Sequence, residues 1–234
     1  MTLILGHRGA SARALENTMT AFEAARADGA DGVELDVWLT RDGELAVFHD
    51  DDLTRLAGRS GSVAAMDWRE VAAVELHGGE RVPRLPEVLE AMAGLVVNVE
   101  IKPPGWRRAP AVVRAVEDCV ARARASERVI VSSFDVAVVG LVRATTRLRA
   151  GLLFHDKQRR PLRRAWLAPV LRIDAVHPQK TLVDAASMRG WRERGYQVNV
   201  WTVDDAVEVR RLVGLGVDAI ISNDPAAARR AMEG

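Results

Sequence analysis

A TIM (β/α)8 barrel is the fold this sequence predicts, on three observations. Apolar segments of strand character alternate with segments of helical spacing, about eight such units are present, and 234 residues is close to the length such a barrel needs. A hydrophobic fraction of 48% is ample for a core. Strands are expected at residues 2–6, 32–37, 96–101, 128–132, 149–154, 173–176, 197–201 and 218–222, joined by right-handed crossovers. Helices are expected at 16–28, 86–92, 109–125, 136–146, 159–167, 183–194, 206–215 and 225–232. A doubly wound open sheet is the second candidate, but the loop GHRGAS at 6–11 lacks the spaced glycines of a dinucleotide fingerprint or a P-loop. With no linker and no low-complexity segment, residues 1–234 read as one domain carrying a short insertion at about 50–84.

Taken in order, each element is justified by its residue pattern and by the side chains at its end. The apolar opening strand runs directly into His7 and Arg8, and Glu16, Asn17 and Thr18 offer capping chemistry for the first helix. In the second strand Val33, Leu35 and Val37 alternate with Glu34 and Asp36, so the apolar set faces the helices and both carboxylates face inward. The extended segment after it delivers His49. The strand at 96–101 repeats the alternation, with Val97, Val99 and Ile101 on one face and Asn98, Glu100 and Lys102 on the other. Phe134 follows a later strand as a wall or core residue, and His155 and His177 follow two more; packing explains those two histidines as well as a pocket does. His77 reads as an exposed loop residue within the insertion. The arginine-rich stretch 157–172 reads as a solvated helix packing Trp166, Leu167 and Leu171 inward, with contact to anionic lipid as the alternative.

Composition narrows the chemistry. Thirty-three Lys and Arg against 32 Asp and Glu give a net charge of +1, which argues against nucleic acid or an anionic membrane as a global partner. The single Cys119 excludes an intrachain disulfide framework or a cysteine-rich zinc site. The opening MTLILGHRG shows no basic leader and no run reaches membrane-spanning length, so a cytoplasmic location is expected. Composition says nothing of oligomeric state.

Three buried carboxylates would cost several kcal/mol each without partners, and Lys102 alone cannot balance Glu34, Asp36 and Glu100. Arginines at the barrel rim are one solution. A divalent cation is the other, and an all-oxygen ligand set without cysteine selects Mg²⁺ or Ca²⁺. Strand C-terminal ends form the face on which barrel active sites are built, and His7 and His49 both fall there. Histidine moves protons near neutral pH, and Arg8 and Lys102 match the charge of a phosphate. Phosphodiester cleavage is the reaction these groups suggest together.

The motifs GHRGA at 6–10, ENT at 16–18, the run at 32–55, VPRLPEVL at 82–89, NVEIK at 98–102 and VNVWTVD at 198–204 closely resemble the glycerophosphodiester phosphodiesterase family across almost the whole chain. The resemblance implies a TIM barrel, a divalent cation, and hydrolysis of glycerophosphodiesters to glycerol 3-phosphate and an alcohol. It matches Glu34, Asp36 and Glu100 to metal ligands, His7 and His49 to the acid/base pair, Arg8 and Lys102 to phosphate contacts, and Trp201 to an aromatic lining the site. On strand phase alone Trp201 is equally a core residue. Leu15 stands where the family has proline. The insertion, which in the family shapes the alcohol side of the pocket, is short here. A lysophospholipase D-like barrel acting on lysophospholipids is the alternative. A barrel serving as a binding module without catalysis is the weakest reading, because every polar site residue is present.

Overall fold

The structure, a computed structural model, describes residues 1–103, 105, 107–158 and 168–233. Strands β1 (Leu3–His7), β2 (Gly32–Leu39), β4 (Val96–Ile101), β5 (Val129–Ser133), β6 (Arg149–Phe154), β7 (Ala175–Pro178), β8 (Gln197–Val200) and β9 (Ala219–Ser222) pair in parallel in that order. β9 pairs back onto β1, which closes the barrel. The extended segment after β2 is β3 (Leu45–Val47), an antiparallel strand on the outer end of β2.

Helices α1 (Met19–Ala27), α4 (Leu85–Ala91), α5 (Ala109–Arg122), α6 (Val136–Thr145), α7 (Ala168–Leu171), α8 (Ala185–Arg192), α9 (Ala206–Gly214) and α10 (Pro225–Glu233) follow their strands around the outside. Two short helices, α2 (Thr54–Ala57) and α3 (Trp68–Ala72), lie in the insertion. The helix expected at 159–167 lies outside the described residues, as do Trp166 and Leu167; Leu171, in α7, packs partly buried on the core.

The strand alternation read from sequence is the one that builds the core. Val33, Leu35, Val37, Val97, Val99 and Ile101 are all fully buried in one cluster with Phe22 of α1 and Val112 and Val116 of α5. Each such side chain contributes about 1.5–3 kcal/mol over its exposed state. Inside the barrel, Leu5, Ala219 and Ile221 form a small apolar plug with Leu3, Val96 and Trp201 around it. The insertion has a satellite cluster of its own, in which Leu53, Leu56, Val63, Val71, Leu76 and Val82 pack with Phe48, Trp38 and Leu15. Leu15 is thus accommodated by packing, and its carbonyl accepts from Thr18 Oγ1 at 2.7 Å.

Some boundaries differ from expectation, and each shift has a cause. Helix α1 starts at Met19 rather than at residue 16: Thr18 is the cap, its hydroxyl accepting from Ala21 N at 3.2 Å, and Asn17 sits at φ 58, outside the helical region. β7 ends at Pro178, two residues beyond the expected end, which puts His177 in the strand and fully buried inside the barrel. Burial pushes its imidazole down to about 3, so it stays neutral. It is a core residue and does not line the pocket. His177 fits because residue 151 is glycine: a Cβ there would lie 2.4 Å from His177 Nε2. Gly151→Ala is therefore expected to destabilise the protein by about 1–3 kcal/mol, lowering Tm by about 2–12 °C. The rate per folded molecule should be unchanged. Thermal melts with parallel assays check both parts.

Candidate active site

The strand ends converge on a cavity of ≈ 220 Å³ lined by His7, Arg8, Glu34, His49, Asn98, Glu100, Lys102, Phe134, Leu153, Trp201 and Ile221. Register explains the gathering of acids. Asp36 on β2 pairs with Glu100 on β4, and Glu34 with Asn98, so inward-facing positions of adjacent strands fall side by side. One oxygen from each of Glu34, Asp36 and Glu100 lies within 4.8 Å of the others, and all three residues are buried.

Among the described residues, two cations reach this cluster. Lys102 Nζ sits 2.7 Å from both Asp36 Oδ1 and Glu100 Oε1, and Arg8 Nε is 3.2 Å from Asp36 Oδ2. Burial alone would push Asp36 up, but Lys102 and then Arg8 overcome it and hold the carboxyl at about 2. Glu100 behaves oppositely: burial, with the Asp36 charge adding to it, pushes it up to about 7. Glu34 is raised well above the carboxylate range by burial and by the Asp36 and Glu100 charges. The cluster is thus short of positive charge, and its donors are all carboxylate oxygens. Both facts fit a hard divalent cation held by Glu34, Asp36 and Glu100.

The loop after β1 is held in a strained path to present Arg8. Arg8 and Asn17 both have positive φ, 56° and 58°, and they are tied together by Asn17 N donating to Arg8 O at 3.0 Å. The backbone N of Arg8 donates to Glu34 O at 2.8 Å. At Gly9, φ 86°, a Cβ would lie 2.5 Å from the backbone of Ala21, so only glycine lets this loop press on α1. Asn17 Nδ2 donates to Asp36 Oδ2 at 2.8 Å, while Glu16 accepts from Arg8 at 2.8 Å and from Arg55 at 2.7 Å. Of the three residues expected to cap α1, two therefore serve the site instead.

His7 and His49 are each anchored through Nδ1. His49 Nδ1 is 2.6 Å from Asp50 Oδ1, and Asp50 is held in turn by Arg55 Nε at 2.6 Å. His7 Nδ1 is 2.7 Å from Asn223 Oδ1, and His7 Nε2 lies 3.9 Å from Glu34 Oε2. Burial lowers both imidazoles, with Arg8 adding to it at His7 and Lys102 at His49. Phe134 meets Trp201 edge-on at 5.4 Å, forming an aromatic wall, and Trp201 Nε1 donates to His177 O at 2.8 Å. His155 packs on Phe134 at 5.8 Å and is not among the lining residues, and His77 is exposed.

All eight expected site residues are thereby brought to one mouth, either lining the cavity or, for Asp36, directly behind it. Sequence reading passed over Asp204 and Asn223, which lie just beyond β8 and β9. The usable signal was position, since both occupy the face where the other site residues gather.

A parallel barrel with buried acids, two anchored histidines and an arginine and lysine at its strand ends belongs to the class of barrel hydrolases suited to phosphate esters. More narrowly, residues 7–227 match the Glycerophosphoryl diester phosphodiesterase family, and the chain belongs to that family. It is 34% identical over 236 residues to the glycerophosphodiester phosphodiesterase of Caldanaerobacter subterraneus subsp. tengcongensis, covering 96% of this chain and 95% of the relative. The glycerophosphodiester phosphodiesterase of Thermotoga maritima superposes with a TM-score of 0.81 at 28% identity, with 98% of each chain covered. An Oleispira antarctica phosphodiesterase, solved in complex with the product sn-glycerol-3-phosphate, shares the fold at a TM-score of 0.90 and 23% identity, covering 100% of this chain and 98% of its own.

Proposed function

We propose that the chain hydrolyses glycerophosphodiesters to glycerol 3-phosphate and an alcohol. The observation that carries this is the placing of two Nδ1-anchored histidines, Arg8 and Lys102 around one acid-lined cavity, in a chain of this family. In this reading Glu34, Asp36 and Glu100 hold one divalent cation, Mg²⁺ or Ca²⁺. When bound, the ion supplies Lewis-acid polarisation of a phosphoryl oxygen.

The remaining work falls to side chains. Arg8 and Lys102 bring positive charge to the phosphate. Of His7 and His49, one takes the proton of the nucleophile and the other gives a proton to the departing alkoxide. Trp201 and Phe134 wall the pocket against water. We assign these roles to a single barrel domain spanning 1–234, with the insertion at about 50–84 beside the alcohol's exit. The partner is a small molecule; the net charge of +1 offers nucleic acid no general attraction. No described helix is long and apolar enough to cross a membrane. A cytoplasmic location is part of the same proposal, supported by a lone buried thiol at Cys119.

Side-by-side turnover of glycerophosphocholine and a lysophosphatidylcholine tests the substrate class, with the first expected to dominate. Predominant turnover of the lysolipid would replace this reading with the lysophospholipase D-like one.

Lys102 separates a catalytic from a purely structural lysine. Because its ammonium already bridges Asp36 and Glu100, a structural role predicts that Lys102→Met lowers Tm or metal affinity while each folded, metal-loaded molecule keeps its rate. As a phosphate clamp it loses a charged donor worth about 2–4 kcal/mol, or about 30- to 1000-fold in kcat/KM. The second outcome is expected, with incomplete rescue by Lys102→Arg, whose planar fork does not replace a compact ammonium. Tm, metal affinity and kcat/KM measured on one preparation distinguish the two.

A further inference from the structure

His7 is held differently from His49, and the difference reaches beyond the cavity. Asp50 offers His49 a carboxylate, whereas the partner of His7 Nδ1 is a neutral amide, Asn223 Oδ1, at 2.7 Å. An amide has a donor end and an acceptor end, so what it does to a histidine depends on which way it faces.

Asp204 decides that. Its Oδ1 accepts from Ser222 Oγ at 2.9 Å and from the backbone N of Asn223 at 2.7 Å, which fixes the carboxylate against the end of β9. Its Oδ2 accepts from Asn223 Nδ2 at 2.7 Å. Turning the amide over would set its carbonyl oxygen against that carboxylate oxygen, exchanging a charge-assisted hydrogen bond for a repulsion between two acceptors. Asn223 Oδ1 therefore faces His7 Nδ1, and it also accepts from Ser11 Oγ at 2.8 Å.

We infer that Asn223, oriented by Asp204, is a positioning residue that fixes neutral His7 in its Nδ1–H tautomer and turns the bare Nε2 toward the cavity. An oxygen that can only accept needs a proton on Nδ1, so the ring nitrogen on the Glu34 side is the one left free to receive a proton. Its consequence for rate rests on the proton-transfer role proposed for His7 above, while the tautomer itself does not. Without the amide the ring is free to carry its proton on Nε2, where it cannot act as an acceptor. The same chain of bonds clamps the ring to β9 and to the loop after β8.

The test is ring ¹⁵N–¹H correlation spectroscopy on uniformly labelled, Mg²⁺-supplemented protein at mildly alkaline pH, with His7 assigned by the signals missing from His7→Ala. The expected wild-type pattern has Nδ1 protonated and Nε2 bare. Asn223→Leu should move His7 toward the Nε2–H form and lower kcat about 10- to 100-fold with little change in KM. The exchanged pair, Asn223→Asp with Asp204→Asn, keeps one donor facing one acceptor, so it should restore the Nδ1–H pattern and most of kcat. An Nε2–H pattern in the wild-type protein overturns the inference whether or not any variant folds. So does an Asn223→Leu protein with unaltered tautomer and kcat. If no glycerophosphodiester is turned over but the Nδ1–H pattern is found, the proposed function fails and the positioning of His7 stands.

Discussion

Replacing His7 or His49 by alanine is expected to lower kcat by about 10²–10⁴-fold each, with KM changed far less. The split between the two constants follows from the proton-transfer role proposed for the rings. A histidine that moves a proton acts only in the transition state, so its loss appears in kcat; one that merely touches the substrate would be missed in KM as well. Both rings are anchored through Nδ1, at 2.7 Å to Asn223 and 2.6 Å to Asp50, which leaves Nε2 as the free ring nitrogen in each. Both also have lowered pKa values, caused first by burial, so near neutral pH both start mostly as free imidazoles. One must gain a proton before it can act as the acid, and a bell-shaped profile is expected, its acid limb displaced below the ordinary histidine range. Steady-state kinetics across pH on both variants check this; a defect confined to KM would reassign the rings to binding.

Exhaustive chelation with EDTA should abolish activity, and Mg²⁺ or Ca²⁺ should restore it. The reason is electrostatic. Among the described residues, three buried carboxylates share two cations, one of which, Arg8, is also committed to Glu16. Glu34 and Glu100 are both raised by burial and by neighbouring negative charge, so without an ion they resist ionising together. The same shift sets the sign of the pH dependence. Glu100, raised to about 7, holds its proton below that pH, and a cation must displace it; metal affinity should weaken as pH falls through about 7 and strengthen above it. Calorimetric titration at pH 6 and pH 8 measures the trend. Full activity after chelation, or an affinity that rises on acidification, would contradict the assignment.

How much of this was legible depends on the range over which each residue acts. The alternation of Val33, Leu35 and Val37 with Glu34 and Asp36 is local and dictated by strand geometry, so sequence alone placed the acids inside and the valines against the helices. Glu16 and Asn17 were misread as caps because their chemistry suits a helix start; their true partners, Arg8, Arg55 and Asp36, become visible only once the barrel closes. The bond between His7 and Asn223 spans 216 positions, and no periodicity encodes it. His177 was read as following its strand because the expected end, residue 176, falls two residues short of the observed end at Pro178. The buried acids show themselves through local strand alternation, and Asp50 stands beside His49 in sequence, whereas the partner of His7, Asn223, is found only through contact.

Product identity tests glycerophosphodiester hydrolysis by this chain most directly. Metal-loaded protein given glycerophosphocholine should release choline and glycerol 3-phosphate in equal amounts, at a rate abolished by EDTA and restored by the cation. Release of phosphocholine or inorganic phosphate instead, or no turnover of any glycerophosphodiester by folded, metal-loaded protein, would contradict it.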